Sequence, residues 1–129
     1  MTALKGSAAA FFTYLFFPLL SACKSNNAVQ PREIVVASTE ELKPGTSKFF
    51  RFQGRQGILL RTMNGEYKAL SADCTHVECT VRYRPDAGDL WCSCHNGRFA
   101  LSGEILSGPM PRHLEAFRIA VEDGKIIIS

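Results

Sequence analysis

Two short stretches hold most of the reactive side chains of this 129-residue chain. "CTHVEC" runs from Cys74 to Cys79 and "CSCHNG" from Cys92 to Gly97, so four of the five cysteines and two of the three histidines lie between Cys74 and His95. Thiols and imidazoles at this spacing suit three kinds of chemistry: disulfide cross-linking, a structural zinc, or a redox metal centre. A structural zinc takes four ligands, commonly in C-x₂₋₄-C pairs. Here the tight groups are Cys74-x-His76 and Cys92-x-Cys94-His95. Adjacent Cys94 and His95 do not comfortably reach one tetrahedral ion, and six donors are too many. A pure disulfide framework accounts for the cysteines but gives His76 and His95 no purpose. A two-iron cluster with thiolates on one iron and imidazoles on the other leaves no residue over, because the two remaining cysteines can lock the loops together.

The two stretches resemble the boxes of the Rieske family, C-T-H-x-G-C and C-x-C-H-G, with Glu78 and Asn96 standing where the family has glycine. "GPMPRHL", Gly108 to Leu114, is similar to the family's proline loop, and "GRFALSGEIL" to the segment after its second box. The resemblance covers Ile34 to Ser129. It implies one [2Fe-2S] cluster per chain, with Cys74 and Cys92 as thiolate ligands of one iron and His76 and His95 as imidazole ligands of the other. It also implies a Cys79–Cys94 disulfide between the loops. The outward edges of His76 and His95 are then the exit for electrons and protons. His113, in the proline loop, reads as a surface residue rather than a ligand. The implied fold is all-β: an antiparallel β-sandwich with a small cluster-binding subdomain formed by two loops.

Some departures from the family pattern bear on potential, which follows net charge, hydrogen bonds to the sulfurs and exposure. High-potential members carry a serine and a tyrosine where this chain has Gly97 and Phe99, so two hydroxyl donors are missing. Glu78 adds an anion in the first box, whereas Asn96 tolerates a left-handed backbone well. The expected potential lies below the upper part of the roughly −150 to +300 mV range of such centres. The "GRF" following the second box resembles the low-potential ferredoxin type, while the second cysteine pair resembles the exported, quinol-oxidising type.

The elements that must position these residues are short runs punctuated by turn signals, the pattern of an all-β domain. "EIVVAS", "SKFFRF", "ILLRT", "YKALSA", "AFRIAV" and "KIIIS" read as strands. Asn64-Gly65 and Asp123-Gly124 read as hairpin signals, the former suited to a type I′ turn. "TEELKP", from Thr39 to Pro44, is long enough for one helical turn. A domain this small encloses a small core, so a metal or disulfide staple is expected.

Upstream, Lys5 precedes an uncharged run from Gly6 to Cys23 with the form of a signal peptide. Leu20-Ser21-Ala22-Cys23 resembles the bacterial lipobox, which implies lipidation of Cys23. The resulting division is a lipoprotein-type signal peptide over 1–22, a lipid anchor and tether over 23–33, and the cluster domain over 34–129. The run is also just long enough for an uncleaved anchor helix, which Pro18 disfavours. Either arrangement exports the domain, where disulfides persist. The leader has no twin-arginine pair. A formal charge of +3, with no basic stripe, excludes nucleic acid as a partner. A catalytic oxygenase needs a second iron held by two histidines and a carboxylate, and only His113 remains for it. The expectation is therefore a membrane-anchored one-electron carrier serving a quinol-oxidising complex, a c-type cytochrome or another redox protein. A ferredoxin-like carrier and a zinc- or disulfide-stapled binding module are the alternatives.

Overall fold

The computed structural model describes residues 31–74 and 79–129. The expected signal peptide over 1–22, Cys23, most of the expected tether, His76 and Glu78 lie outside the described residues. Within them the chain forms ten strands and no helix. These are β1 (Ile34–Ser38), β2 (Ser47–Phe52), β3 (Arg55–Arg61), β4 (Tyr67–Ser71), β5 (Arg82–Arg84), β6 (Asp89–Cys92), β7 (Gly97–Ala100), β8 (Ile105–Ser107), β9 (Ile119–Glu122) and β10 (Lys125–Ile128). They pair antiparallel into three sheets, ordered β1-β10-β9, β2-β3-β4 and β5-β6-β7-β8.

The sheet β2-β3-β4 supplies side chains to two cores. Leu59, Ala69, Phe50 and Phe52 pack with Ala37, Ile126 and Ile128 from the first sheet. Ile58, Leu60 and Leu70 pack with Leu90, Phe99, Cys74 and Cys92 on the other side. Successive side chains of a strand point to opposite faces, so β3 must be apolar at every central position, and Ile58, Leu59 and Leu60 are all buried. Each such side chain contributes about 1.5–3 kcal/mol of burial. Gly57 continues the run because the Phe50 ring occupies the place of its side chain.

Turn chemistry sets the registers. Gln53–Gly54 (φ 50° and 74°) and Asp123–Gly124 (φ 49° and 71°) each place two left-handed residues between paired strands, the type I′ geometry. Asn64-Gly65 is not such a turn. Only Gly65 has positive φ (88°); its N–H donates to Thr62 O at 2.9 Å, and Thr62 N–H donates to Glu66 O at 2.8 Å. With strand pairing ending at Arg61 and Tyr67, the loop is too long for a two-residue turn. "TEELKP" forms one turn rather than a helix. Leu42 N–H donates to Ser38 O at 3.4 Å and Glu41 N–H to Ser38 Oγ at 3.1 Å, before Pro44 diverts the preceding residue from helical geometry.

The part of the domain that carries both boxes is more than two loops: it owns the four-stranded sheet β5–β8. Its strands are three or four residues long, too short to show a period in the sequence. Asp89 binds this sheet from within. Its carboxylate is 1% exposed and accepts from Arg84 Nε (2.8 Å) and the Arg84 NH2 group (2.6 Å), and from Arg98 Nε (2.7 Å). The Arg84 hydrogen bonds hold the Asp89 carboxyl below the ordinary carboxylate range against the opposing effect of burial, with Arg98 adding to the lowering.

Candidate metal centre

Two loops meet at one end of the β5–β8 sheet. The first is closed by Cys74 N–H donating to Cys79 O at 2.8 Å and by an antiparallel bridge between Asp73 and Thr80. The second is the β6–β7 connection, whose last paired residues are Cys92 and Gly97. Asn96 turns the chain there with a φ of 50°, and its Oδ1 lies 3.4 Å from the Trp91 Nε1–H donor. A Cys79–Cys94 disulfide, with Cα atoms 6.3 Å apart, joins the loops.

The fold turns the other thiols inward. Cys74 is 4% and Cys92 0% exposed, and their Sγ atoms are 2.6 Å apart. His95 is half-buried, with Nδ1 at 3.6 Å from Cys92 Sγ and 3.7 Å from Cys74 Sγ. The donor atoms of the three residues all lie within 4.8 Å of one another. Two soft thiolates in an apolar core with an imidazole at its rim suit a thiophilic transition metal and exclude magnesium or calcium, which take oxygen ligands. Cys74, Cys92 and His95 are thus brought together, whereas His76 lies outside the described residues. His113 lies outside this group; its Nδ1 accepts a hydrogen bond from Ile105 N–H at 3.1 Å.

The proline loop closes over the second loop by backbone contact. Gly108 has a φ of 92°, and a Cβ there would lie 2.7 Å from Gly97 Cα and 3.1 Å from Asn96 O. Met110 follows, 8% exposed, in the core that contains Cys74, Cys92 and Phe99. The loop is tied down beyond this by Leu114 N–H donating to Gly103 O (2.8 Å) and Ser71 N–H donating to Glu115 O (2.8 Å). The proline loop was legible in the sequence, but Asp89 and the packing of Gly108 and Met110 onto Gly97 were not. The paired glycines at 97 and 108 were the available signal, since glycine is what remains where backbones touch.

A disulfide-tied pair of loops presenting buried thiols and a rim histidine on an antiparallel scaffold defines the class, a β-protein built around a thiolate–imidazole metal centre. The model of the Rieske [2Fe-2S] domain matches residues 32–118. The chain belongs to that family, and the cofactor of the domain is a [2Fe-2S] cluster, which the Cys/His donor group fits. The cytochrome b6-f complex iron-sulfur subunit of Chlorobaculum tepidum is 34% identical over 97 residues, 75% of this chain and 53% of that protein. Its counterpart in Chlorobaculum thiosulfatiphilum is 35% identical over the same shares. The chain thus spans about half the length of these curated relatives. Among solved structures, the plasma membrane Rieske protein of the cyanobacterium Synechocystis superposes with a TM-score of 0.67 at 26% identity, over 74% of this chain and 98% of that one. The ferredoxin of carbazole 1,9a-dioxygenase from Nocardioides aromaticivorans superposes with a TM-score of 0.66 at 24% identity, over 75% and 96%, a likeness of fold alone.

Proposed function

We propose that this chain carries electrons one at a time as an exported, membrane-anchored component of, or partner to, a quinol-oxidising respiratory complex. In this reading Cys74 and Cys92 hold one iron, and His76 and His95 the other. The observation that carries it is the convergence of Cys74, Cys92 and His95, with both thiols buried and the imidazole half-buried. When bound, the cluster supplies reversible one-electron chemistry. The apolar core around the thiolates excludes water, and the half-buried His95 gives a short path from the cluster to a partner's surface. The Cys79–Cys94 bridge keeps the two ligand loops in one geometry.

Several observations support the finer reading. The named Chlorobaculum relatives are subunits of a cytochrome b6-f complex, which favours a membrane quinol-oxidising complex, or a c-type cytochrome beyond it, as partner. A disulfide suits an oxidising compartment. The leader pattern and Leu20-Ser21-Ala22-Cys23 point to export with a lipid at Cys23. The donor-poor setting at Gly97 and Phe99 suits menaquinol, the lower-potential quinol.

The experiment is metal analysis and low-temperature EPR on full-length protein made under iron-replete conditions. Two irons and two labile sulfides per chain are expected, with a reduced-state signal of Rieske type that His95→Ala abolishes. Stoichiometric zinc in their place would sink the ligand assignment. In cells, Cys23→Ala should move the protein out of the membrane fraction; retention of the variant at the membrane would replace the lipid anchor with the uncleaved anchor helix.

A further inference from the structure

We infer that Met110, packed against Gly97, sets the polarity around the Cys74–Cys92 thiol pair and with it the redox potential of the bound cluster. This rests on the ligand set proposed above. Gly97 ends the second loop, opposite Cys92 in the β6–β7 register. A Cβ at Gly97 would collide with Met110 Sδ and lie 2.9 Å from its Cγ and 3.4 Å from its Cε. The methionine therefore lies along Gly97 over most of its length and takes the volume that a side chain at 97 would need.

Its position is imposed rather than incidental. Gly108, two residues earlier, presses its backbone onto Gly97 and Asn96, so the loop cannot retreat without breaking that contact. Met110 is buried in the same core as Cys74, Cys92 and Phe99, which leaves it no solvent-facing alternative.

Chemistry gives this placement a consequence. A thioether has no hydrogen to donate and is a weak acceptor, yet it is polarizable and fills irregular space well. At this position it keeps out both water and any hydroxyl at 97. Reduction adds negative charge to the cluster, and donors near the sulfurs favour that state. A donor-free plug disfavours it. Met110 is a tuning residue that acts through the cluster's surroundings; it is not a ligand.

The test compares Met110→Leu with Met110→Gln in full-length protein, by midpoint titration at one pH, with iron content and EPR confirming an intact cluster. Both substitutions nearly conserve volume, but only glutamine brings donors. Leucine should leave the oxidised-to-reduced equilibrium within twofold of wild type. Glutamine should shift it toward reduction by tenfold or more, which for one electron is 59 mV. Equal midpoints for the two variants, with clusters intact, would overturn the inference and leave the ligand assignment standing. A wild-type protein without the two-iron signal would instead remove the ligand assignment.

If the glutamine variant loses its cluster, the decision passes to Gly97→Ser with and without Met110→Ala. The serine should shift the equilibrium less than threefold alone and tenfold or more once the methionine is truncated. Equal effects in the two backgrounds would overturn the inference.

Discussion

At the scale of residues, what matters around the centre is which side chains share the core with its thiols. Phe99 is fully buried in the core that holds Cys74 and Cys92, so a hydroxyl there enters the same water-free surroundings as the thiolates. A hydrogen bond to a charged group is worth about 1.5–3 kcal/mol, and tenfold in a one-electron equilibrium is 59 mV. Phe99→Tyr is therefore expected to raise the midpoint by about 60–130 mV at full strength; an unchanged value with the cluster intact would show that the ring edge faces away from the sulfurs. Gly97, the other position without a hydroxyl, differs because its space is taken by Met110. Asp89 is the residue whose protonation couples to folding. Arg84 and Arg98 lower its folded pKa below the unfolded value of about 3.9. Its stabilisation is thus complete above that value and is lost as pH falls through the lower folded value. Asp89→Asn should cost about 1–3 kcal/mol at neutral pH. It should also flatten the fall in stability that the native protein shows on acidification below about pH 4. Denaturant titrations across pH 2 to 7 test both, and parallel curves for the two proteins would refute the coupling.

At the scale of elements, the site is a junction of three loops, each anchored separately. The first is closed by its own backbone hydrogen bond, the second hangs from the β6–β7 hairpin, and the proline loop runs on to bridge against β4 through Leu70 and Ala116. The Cys79–Cys94 bridge is the covalent tie between the first two, across a sequence separation of 15. For a loop of that size the chain-entropy model assigns about 3 kcal/mol. Cys79→Ser should consequently bind the cluster but release it at a lower temperature, seen as bleaching of its visible absorbance on heating. Identical bleaching curves for variant and wild type would show that the proline loop suffices to hold the junction. His113 belongs to the same scale: by accepting from Ile105 N–H it ties the proline loop to β8, a structural use of a histidine outside the donor group.

At the scale of the molecule, the two cores differ in what they depend on. One contains Cys74 and Cys92; the other, built on Ile126, Ile128, Leu59 and Phe52, contains no candidate ligand. Removing the cluster leaves buried thiols without their metal in the first core alone. Chelator-treated protein should therefore lose hydrogen-exchange protection in β6 and β7 by at least about tenfold, about 1.4 kcal/mol. Protection in β1 and β10 should change far less. Uniform loss across all three sheets would mean that the domain unfolds as one unit.

The family was legible in the sequence because its boxes are residue types at short-range spacing, and the Asp123-Gly124 hairpin likewise forms where its turn residues place it. The all-β class was legible for the same reason, since strand runs and turn residues are local signals. Asn64-Gly65 marks the limit of such signals, because the dipeptide suits a type I′ turn and the registers of β3 and β4 impose a longer loop. The short strands β5 to β8 left no period to read, and their sheet exists through pairing and through the buried Asp89. Only the tertiary structure decided that Gly97 is filled by Met110 and that Asp89 is clamped by Arg84 and Arg98. Those contacts join residues whose local preferences say nothing about one another, and they arise when packing brings a loop or strand across its neighbour.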